Sequence, residues 1–464
     1  MTITITEQSK KILSRIISVI MLMELLDTTV LNTALPQIAH SLNVNPVSLK
    51  EVLTVYFLSL GIFIPVSGWV ADYFGEKKSM LAAIILFTLS SLACGLAVNL
   101  PMLVGFRLLQ GVGGAFLMPI GRQILIRVFP DSLDRIKAMA KINTITLLGL
   151  LMGPIVGGAL TTYANWRWIF FINIPTGILG LLLLYYYLPQ IREVTKYRFD
   201  IIGFILIGLA LGSLLFLMDI LIDNRIAPSW KLFLLTLAAC CLILYILHAR
   251  KHPQPLISLK LFHQGNFGSA SACSFLSRLT TSTHPFLVPL LLQTGYGFTA
   301  FHSGLYQVPV IFSTLISFQF IPKLHKKYHP HDLLVFASCM VVFIFCSFTL
   351  QAFYLIPALL IIQQLLMGFF LPIQTALMNS QAYQNLHDVY LSQGSAFYSG
   401  VIQVSGSFGI ASAALVIIGI IGPNDLGHQV PLVVFKIIFI VQSLYALLAA
   451  YLFHKSYLPE KNSL

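Results

Sequence analysis

Two acids, Glu24 and Asp27, stand in a stretch from Met21 to Pro36 that is otherwise apolar enough to cross a bilayer. A charge near the bilayer centre costs roughly 2.5 to 3.5 kcal/mol on insertion scales, so such acids face protein or a water-filled cavity rather than lipid. Three apart, they share one helix face. Two cations, Arg107 and Arg278, lie in equally apolar surroundings. At about 1.5 Å of rise per residue, Asp27 lies roughly 12 Å below the outer end of its segment and Arg107 roughly 9 Å below the outer end of its own, which makes them expected neighbours. Glu24 and Arg278 lie deeper, roughly 18 and 16 Å from the inner ends, and are expected to confront each other across a cavity near the midplane. The chemistry this allows is proton binding under the control of a movable cation. A carboxyl buried alone keeps its proton, and one beside an arginine gives it up. Asp27 is thus the expected proton carrier, Arg107 its switch, and Glu24 the rival carrier.

The elements that hold these residues are membrane helices. The chain is 57% hydrophobic and 9% charged, with a mean hydropathy of +0.86, against roughly 25% charged in a soluble domain. Windows of about 20 apolar residues, the length that crosses roughly 30 Å of hydrocarbon, occur fourteen times. They cover 12–35, 50–71, 79–98, 101–123, 138–162, 167–188, 200–220, 230–248, 266–291, 301–321, 332–351, 354–379, 395–420 and 431–453.

A net charge of +12 would suggest nucleic acid in a soluble chain. Here the basic residues sit in short loops and report orientation instead. Lys77 and Lys78, Arg135 and Lys137, Arg192 and Lys196, Arg250 and Lys251, and Lys323 to Lys327 fall on one side, and the opposite loops are poor in them. The positive-inside rule makes that side, and both termini, cytoplasmic. Lys10, Lys11 and Arg15 before an apolar run imitate a signal peptide, but Glu24, Asp27 and the lack of a clean cleavage site favour a retained first span. The six cysteines lie in or beside apolar runs, so neither a disulfide framework nor zinc spacing follows.

Arg107 to Gly111 in span four matches Gln364 to Gly368 in span twelve, each followed by a proline, Pro119 or Pro372. This weak repeat divides the chain into a six-helix bundle over 1–188, a two-helix insert over 189–262 and a second six-helix bundle over 263–464. Two related halves around a central site are a common transporter plan.

The stretch Gly68 to Lys78 resembles the G-x-x-x-D-x-x-G-x-K/R loop signature of the major facilitator superfamily, through Gly68, Asp72, Gly75 and Lys77. Its glycines permit a tight turn and close helix approach, and Asp72 can accept from a helix N-terminus or a basic partner. Leu26 to Pro36, Arg107 to Ala115 and Trp166 to Pro175 resemble signatures of the fourteen-span drug:proton antiporters. Gly149, Gly153, Pro154, Gly157 and Gly158 fit the antiporter pattern G-x-x-x-G-P-x-x-G-G at every fixed position. Independently of that resemblance, small residues four apart let a second helix approach closely, and Pro154 permits a kink. Ser258 to Phe262 and Gly297 to Leu305 are similar to the MdtD-type bacterial members.

Weaker candidates are the intramembrane amides. Gln110, Asn143, Gln363, Gln364, Gln374, Asn379 and Gln403 could line a polar path, although most such amides simply bond between helices for about 0.6 kcal/mol each; of them Gln110, Asn143, Gln364 and Gln403 join Glu24 and Arg278 as expected cavity residues. His325, His329 and His331 lie close together among lysines that repel a cation, so no metal site is expected. No phosphate-binding loop, ATPase-sized loop or catalytic constellation exists. The expectation is an all-α polytopic membrane protein of the major facilitator fold, not an enzyme. It would be a monomer in a bacterial inner membrane that uses no cofactor and binds no nucleic acid. Its partners are the lipid bilayer, protons and a small-molecule substrate that it exports by antiport. Glu24 and Asp27 favour a cationic or neutral lipophilic substrate. Arg278 favours an anionic metabolite, siderophore or metal chelate. A transport-inactive receptor or scaffold is the alternative of another class.

Overall fold

The structure, a computed structural model, describes residues 7–129, 149, 152–189, 199–221, 226–263, 266–383, 388–421 and 430–456. Among these residues it is helical with no strand, as backbone groups in lipid must be satisfied within their own segment. Two compact units emerge, Met1–Phe199 with Thr299–Gly304, and Asp200–Phe298 with Leu305–Leu464.

The first unit contains α1 (Glu7–Leu42), α2 (Lys50–Phe74), α3 (Glu76–Gly95), α4 (Leu100–Val128), α5 (152–163) and α6 (Trp168–Tyr187). Hydroxyls inside α1 return their hydrogen bonds to the preceding turn, Ser18 to Ser14, Thr28 to Glu24 and Thr29 to Leu25, which satisfies these three donors within the helix. Asn99 caps α4 by accepting from the Met102 N–H at 2.9 Å. Leu13, Ile17, Tyr56, Met80, Phe87 and Ile124 join the core that binds α1 to α4.

The second unit contains α7 (Ile201–Ile220), α8 (Pro228–Lys251), α9 (Phe267–Thr281), α10 (His284–Leu290), α12 (Val308–Lys327), α13 (Pro330–Gln351), α14 (Pro357–Tyr383), α15 (Asp388–Ile421) and α16 (Leu432–Ser456). Between α10 and α12, the short α11 (Ala300–Leu305) belongs mostly to the first unit. The insert helices α7 and α8 pack on each other, and α7 also meets α15. Their outer faces, among them Ile202, Leu209, Phe216, Phe233 and Ile243, stay exposed as a lipid-facing surface would.

Twelve helices are long and apolar enough to span a membrane among the described residues. The expectation of fourteen differs at two places. Much of the fifth window lies outside the described residues, and the ninth is broken at Ser282–Thr283, where Pro285 supplies no N–H to the preceding turn. Exposed aromatic rings collect near helix ends, including Tyr163, Trp168, Tyr186, Trp230, Tyr354 and Tyr451, the placement of a membrane-interface belt.

Candidate functional site: a buried ion pair in the first unit

Asp27 and Arg107 meet inside the first unit. Arg107 Nη1 donates to Asp27 Oδ2 at 2.5 Å, and neither side chain is exposed. The other carboxylate oxygen, Oδ1, accepts from Gln110 Nε2 at 2.9 Å and Asn173 Nδ2 at 2.7 Å. Gln110 Oε1 in turn accepts from Arg107 Nη1 at 2.8 Å, while Asn173 also donates to Ser91 Oγ at 3.0 Å, and Ser91 donates to the Phe170 carbonyl. Four helices, α1, α3, α4 and α6, therefore converge on one carboxylate. The guanidinium lies over the rings of Tyr56 at 4.5 Å and Phe170 at 5.5 Å, contacts that offset part of its desolvation. Its Nε and Nη2 have no hydrogen-bond partner among the described residues, so the pair is tightly held on the Asp27 side alone.

One turn away, Glu24 is buried and its Oε2 has no hydrogen-bond partner among the described residues. The positive charge acting on it is that of Arg122 on α4, whose exposed side chain also donates to Met118 Sδ. Arg278 belongs to the second unit, on α9, half-buried, and its guanidinium has no hydrogen bond or ion pair among the described residues. Its electrostatic neighbour is Tyr398 of α15, whose hydroxyl shares a 2.7 Å hydrogen bond with Ser274. Gln364 pairs instead with His284, Gln403 is half-buried on α15, and Asn143 lies outside the described residues. Gln110 belongs to the ion-pair network. Gln363 bonds to Gln351 and Ser347, and Gln374 to Ser338, as interhelical amides do.

The glycine-rich stretches set how closely the helices approach. Gly75 joins α2 to α3 at φ +87°, a conformation that favours glycine. Asp72 accepts from Gln123 at 3.2 Å and lies 3.9 Å from Arg127, which pairs at 2.6 Å with Glu76. Lys77 donates to the Tyr185 carbonyl at 2.7 Å and tethers the same turn to α6. A side chain at Gly68 would meet nothing within 4 Å among the described residues.

At Gly149 and along α5 the expected approach has a definite partner, α1. Gly149 faces Leu22, Gly153 faces Thr29, and Gly157 faces the Val30 carbonyl and Thr33, so this seam flanks the turn that carries Asp27. Gly158 faces the backbone of Ala300 and Phe301, and Gly304 faces the Pro154 carbonyl, which explains small residues in both stretches. Arg167 donates from Nη1 to the carbonyls of Gly95 and Ala97, both at 2.7 Å, capping α3 and fixing the start of α6 and hence Asn173.

Asp200, His248 and His252 form the one three-residue cluster with metal-ligand geometry among the described residues. Its acceptors are already occupied. Asp200 Oδ1 accepts from Gly203 N and pairs with His248 Nε2 at 2.7 Å, Oδ2 accepts from Leu256 N, and His252 Nδ1 accepts from Gln254 N. Burial opposes ionisation of Asp200, but the Gly203 and Leu256 N–H groups, with His248, hold its carboxyl below the usual range. The cluster is a clasp at the cap of α7.

Sequence reasoning missed Asn173, Ser91, Arg122, His284 and this clasp. Asn173 carried a signal, since it is an intramembrane amide within a family signature.

The sequence description of the Major Facilitator Superfamily matches residues 17–411. The chain is 35% identical over 412 residues to a protein named for multidrug resistance, MdtD, of Salmonella heidelberg strain SL476, covering 87% of this chain and 86% of that one. Identity and coverage are the same for the protein of that name from Salmonella paratyphi B. Among solved structures, a nucleoside transporter, NupG, is similar at a TM-score of 0.66 and 14% identity, covering 96% of this chain and all of that one. A POT family transporter in complex with 5-aminolevulinic acid gives 0.70 at 12% identity and 96% of each chain. At such identities the two structures speak for the fold alone.

Proposed function

The chain belongs to the major facilitator superfamily, and from that premise we propose that it is a proton-coupled exporter of lipophilic small molecules in a bacterial inner membrane. The observation that carries this reading is the carboxylate of Asp27, fully buried and neutralised by a cation on another helix. Removing one partner from a buried pair leaves an uncompensated charge at a cost of about 3 to 5 kcal/mol, whereas protonating the acid removes that cost. Any movement that parts α4 from α1 therefore favours a proton on Asp27, and the return of Arg107 expels it. If the parted state opens outward and the paired state inward, each cycle carries a proton inward and drives export.

Supporting this, relatives at 35% identity are named for multidrug resistance. Glu24, with a free oxygen one turn from Asp27, supplies a site for a cationic or hydrogen-bonding substrate. Loop charge puts both termini inside, so a cysteine introduced at position 327 should react with an impermeant reagent only from the cytoplasmic face. Reconstitution tests the function: an imposed pH gradient should drive uphill accumulation of a lipophilic cation, and accumulation indifferent to the gradient contradicts it. A second substrate class rests on Arg278, whose guanidinium has no hydrogen bond among the described residues, which suits an anionic group.

A further inference from the structure

The second unit repeats the geometry of the Asp27–Arg107 pair without its charge. Gln364 follows Arg107 by 257 residues, and His284 follows Asp27 by the same 257. Each pair is joined directly, Arg107 Nη1 to Asp27 at 2.5 Å and His284 Nε2 to Gln364 Oε1 at 2.8 Å. The glycine one turn further on keeps the same offset, while the residues it packs against stand 254 apart. Gly111 packs against the Tyr56 carbonyl and Ser59 of α2, and Gly368, again 257 residues on, packs against the Val310 carbonyl and Ser313 of α12. Where Ser91 supports Asn173, the residue 257 further on is Phe348, whose ring lies 5.7 Å from that of His284. Phe348 stacks in turn on Phe439 of α16 at 5.3 Å. The repeat thus preserves a hydrogen-bonded pair and replaces its polar wall with an aromatic one.

His284 is 4% exposed and Gln364 fully buried. Because an amide oxygen only accepts, Nε2 of His284 carries the hydrogen and Nδ1 the lone pair. The ionisable groups on the packed elements include Arg278 on α9, His331 and Asp332 at the start of α13, Tyr398 on α15, and Lys436 and His454 on α16. The polar neighbour of His284 is Gln364, and α14 carries no acidic or basic side chain. An imidazolium in this packing would be a buried cation without a counter-charge, which costs several kcal/mol. Unlike α1, which runs unbroken through Asp27, the segment bearing His284 is interrupted on both sides. The turn Ser282–Thr283 precedes it, and Pro289 and the π-helical turn Leu291–Gly295 follow. Interrupted helices and π-turns recur at functional sites in membrane transporters.

We propose that His284 is a second proton-binding group of the transport cycle, empty while packed against Gln364 and Phe348 and filled at Nδ1 when its segment opens to outside water. A neutral imidazole takes one proton there, and repacking returns it on the opposite side. No electrons or other groups move. Because the cationic form is tolerated only when hydrated, protonation and conformation are linked, which is the requirement for coupling. The inference rests on the proton-coupled reading above.

The test uses full-length protein in proteoliposomes at zero membrane potential, with ethidium as the transported probe and the steady-state concentration ratio measured against the pH gradient. Each coupled proton contributes about tenfold in that ratio per pH unit. His284→Gln should lower the ratio about tenfold at a gradient of one unit while one-for-one exchange continues. A wild-type ratio that follows the gradient, with His284→Gln and His284→Asn leaving the slope unchanged, overturns the inference and spares the proton-coupled reading. A wild-type slope of a single proton overturns it without any variant. A wild-type ratio independent of the gradient overturns the proton-coupled reading itself.

Discussion

Arg107 and Asp27, 80 residues apart in sequence, form a 2.5 Å ion pair that neither water nor lipid reaches. Its consequence is a strong dependence of each residue on the other. Arg107→Gln and Asp27→Asn should each lower stability, the former by about 3 to 5 kcal/mol because it strands a buried carboxylate. The double variant should cost clearly less than the sum of the two. Thermal unfolding in detergent measures this, and additive losses would mean the pair is not coupled.

The α5–α1 seam predicts a contrast between two glycines. Gly157→Ala drives a methyl into the Val30 carbonyl, a backbone atom that cannot turn aside, whereas Gly68→Ala enters open space. The first should cost about 1 to 3 kcal/mol and impair transport, and the second should be close to neutral. Equal behaviour of the two would refute the packing account of the motif.

How much of this was legible follows from the chemistry of each residue. Glu24, Asp27 and Arg107 stand out because charge is expensive in an apolar segment, and helix rise alone brings Asp27 and Arg107 to similar depth. Ser91 does not stand out and Asn173 does so only through its family signature, since neutral polar groups are common in membrane helices and only tertiary packing selects their partner. Arg122, near the end of its span, reads as a loop cation until the fold brings its charge within electrostatic reach of Glu24. Hydropathy windows register apolar length rather than helical continuity, so the break before Pro285 was invisible and His284 was hidden with it. Gly68 shows the converse, a motif position whose glycine meets no close neighbour among the described residues.

The Asp200 clasp predicts an acid-sensitive contribution to stability. A carboxyl held below its ordinary range stabilises the fold above the unfolded value of about 3.9 and loses that contribution as pH falls through the folded value. Asp200→Asn should therefore be less stable than wild type at neutral pH, with the difference shrinking below about pH 4. A difference that stays constant with pH would assign the effect to something other than ionisation.

The charge of the substrate is tested at Arg278. If it binds an anionic group, Arg278→Ala should weaken binding of anionic substrates by about 1.5 to 3 kcal/mol and leave lipophilic cations unaffected. Arg278→Lys should retain part of the affinity. Unchanged affinity for every anion tested would leave the cationic class alone.

The most direct test of the central claim, that Asp27 carries the proton under the control of Arg107, is transport by Asp27→Asn in proteoliposomes with and without a pH gradient. The substitution removes the titrating oxygen and leaves Arg107 without its counter-ion, so uphill export and its response to the gradient should disappear while substrate binding and downhill exchange persist. Uphill export that survives in Asp27→Asn but disappears in Glu24→Gln would contradict the claim and move the proton to Glu24.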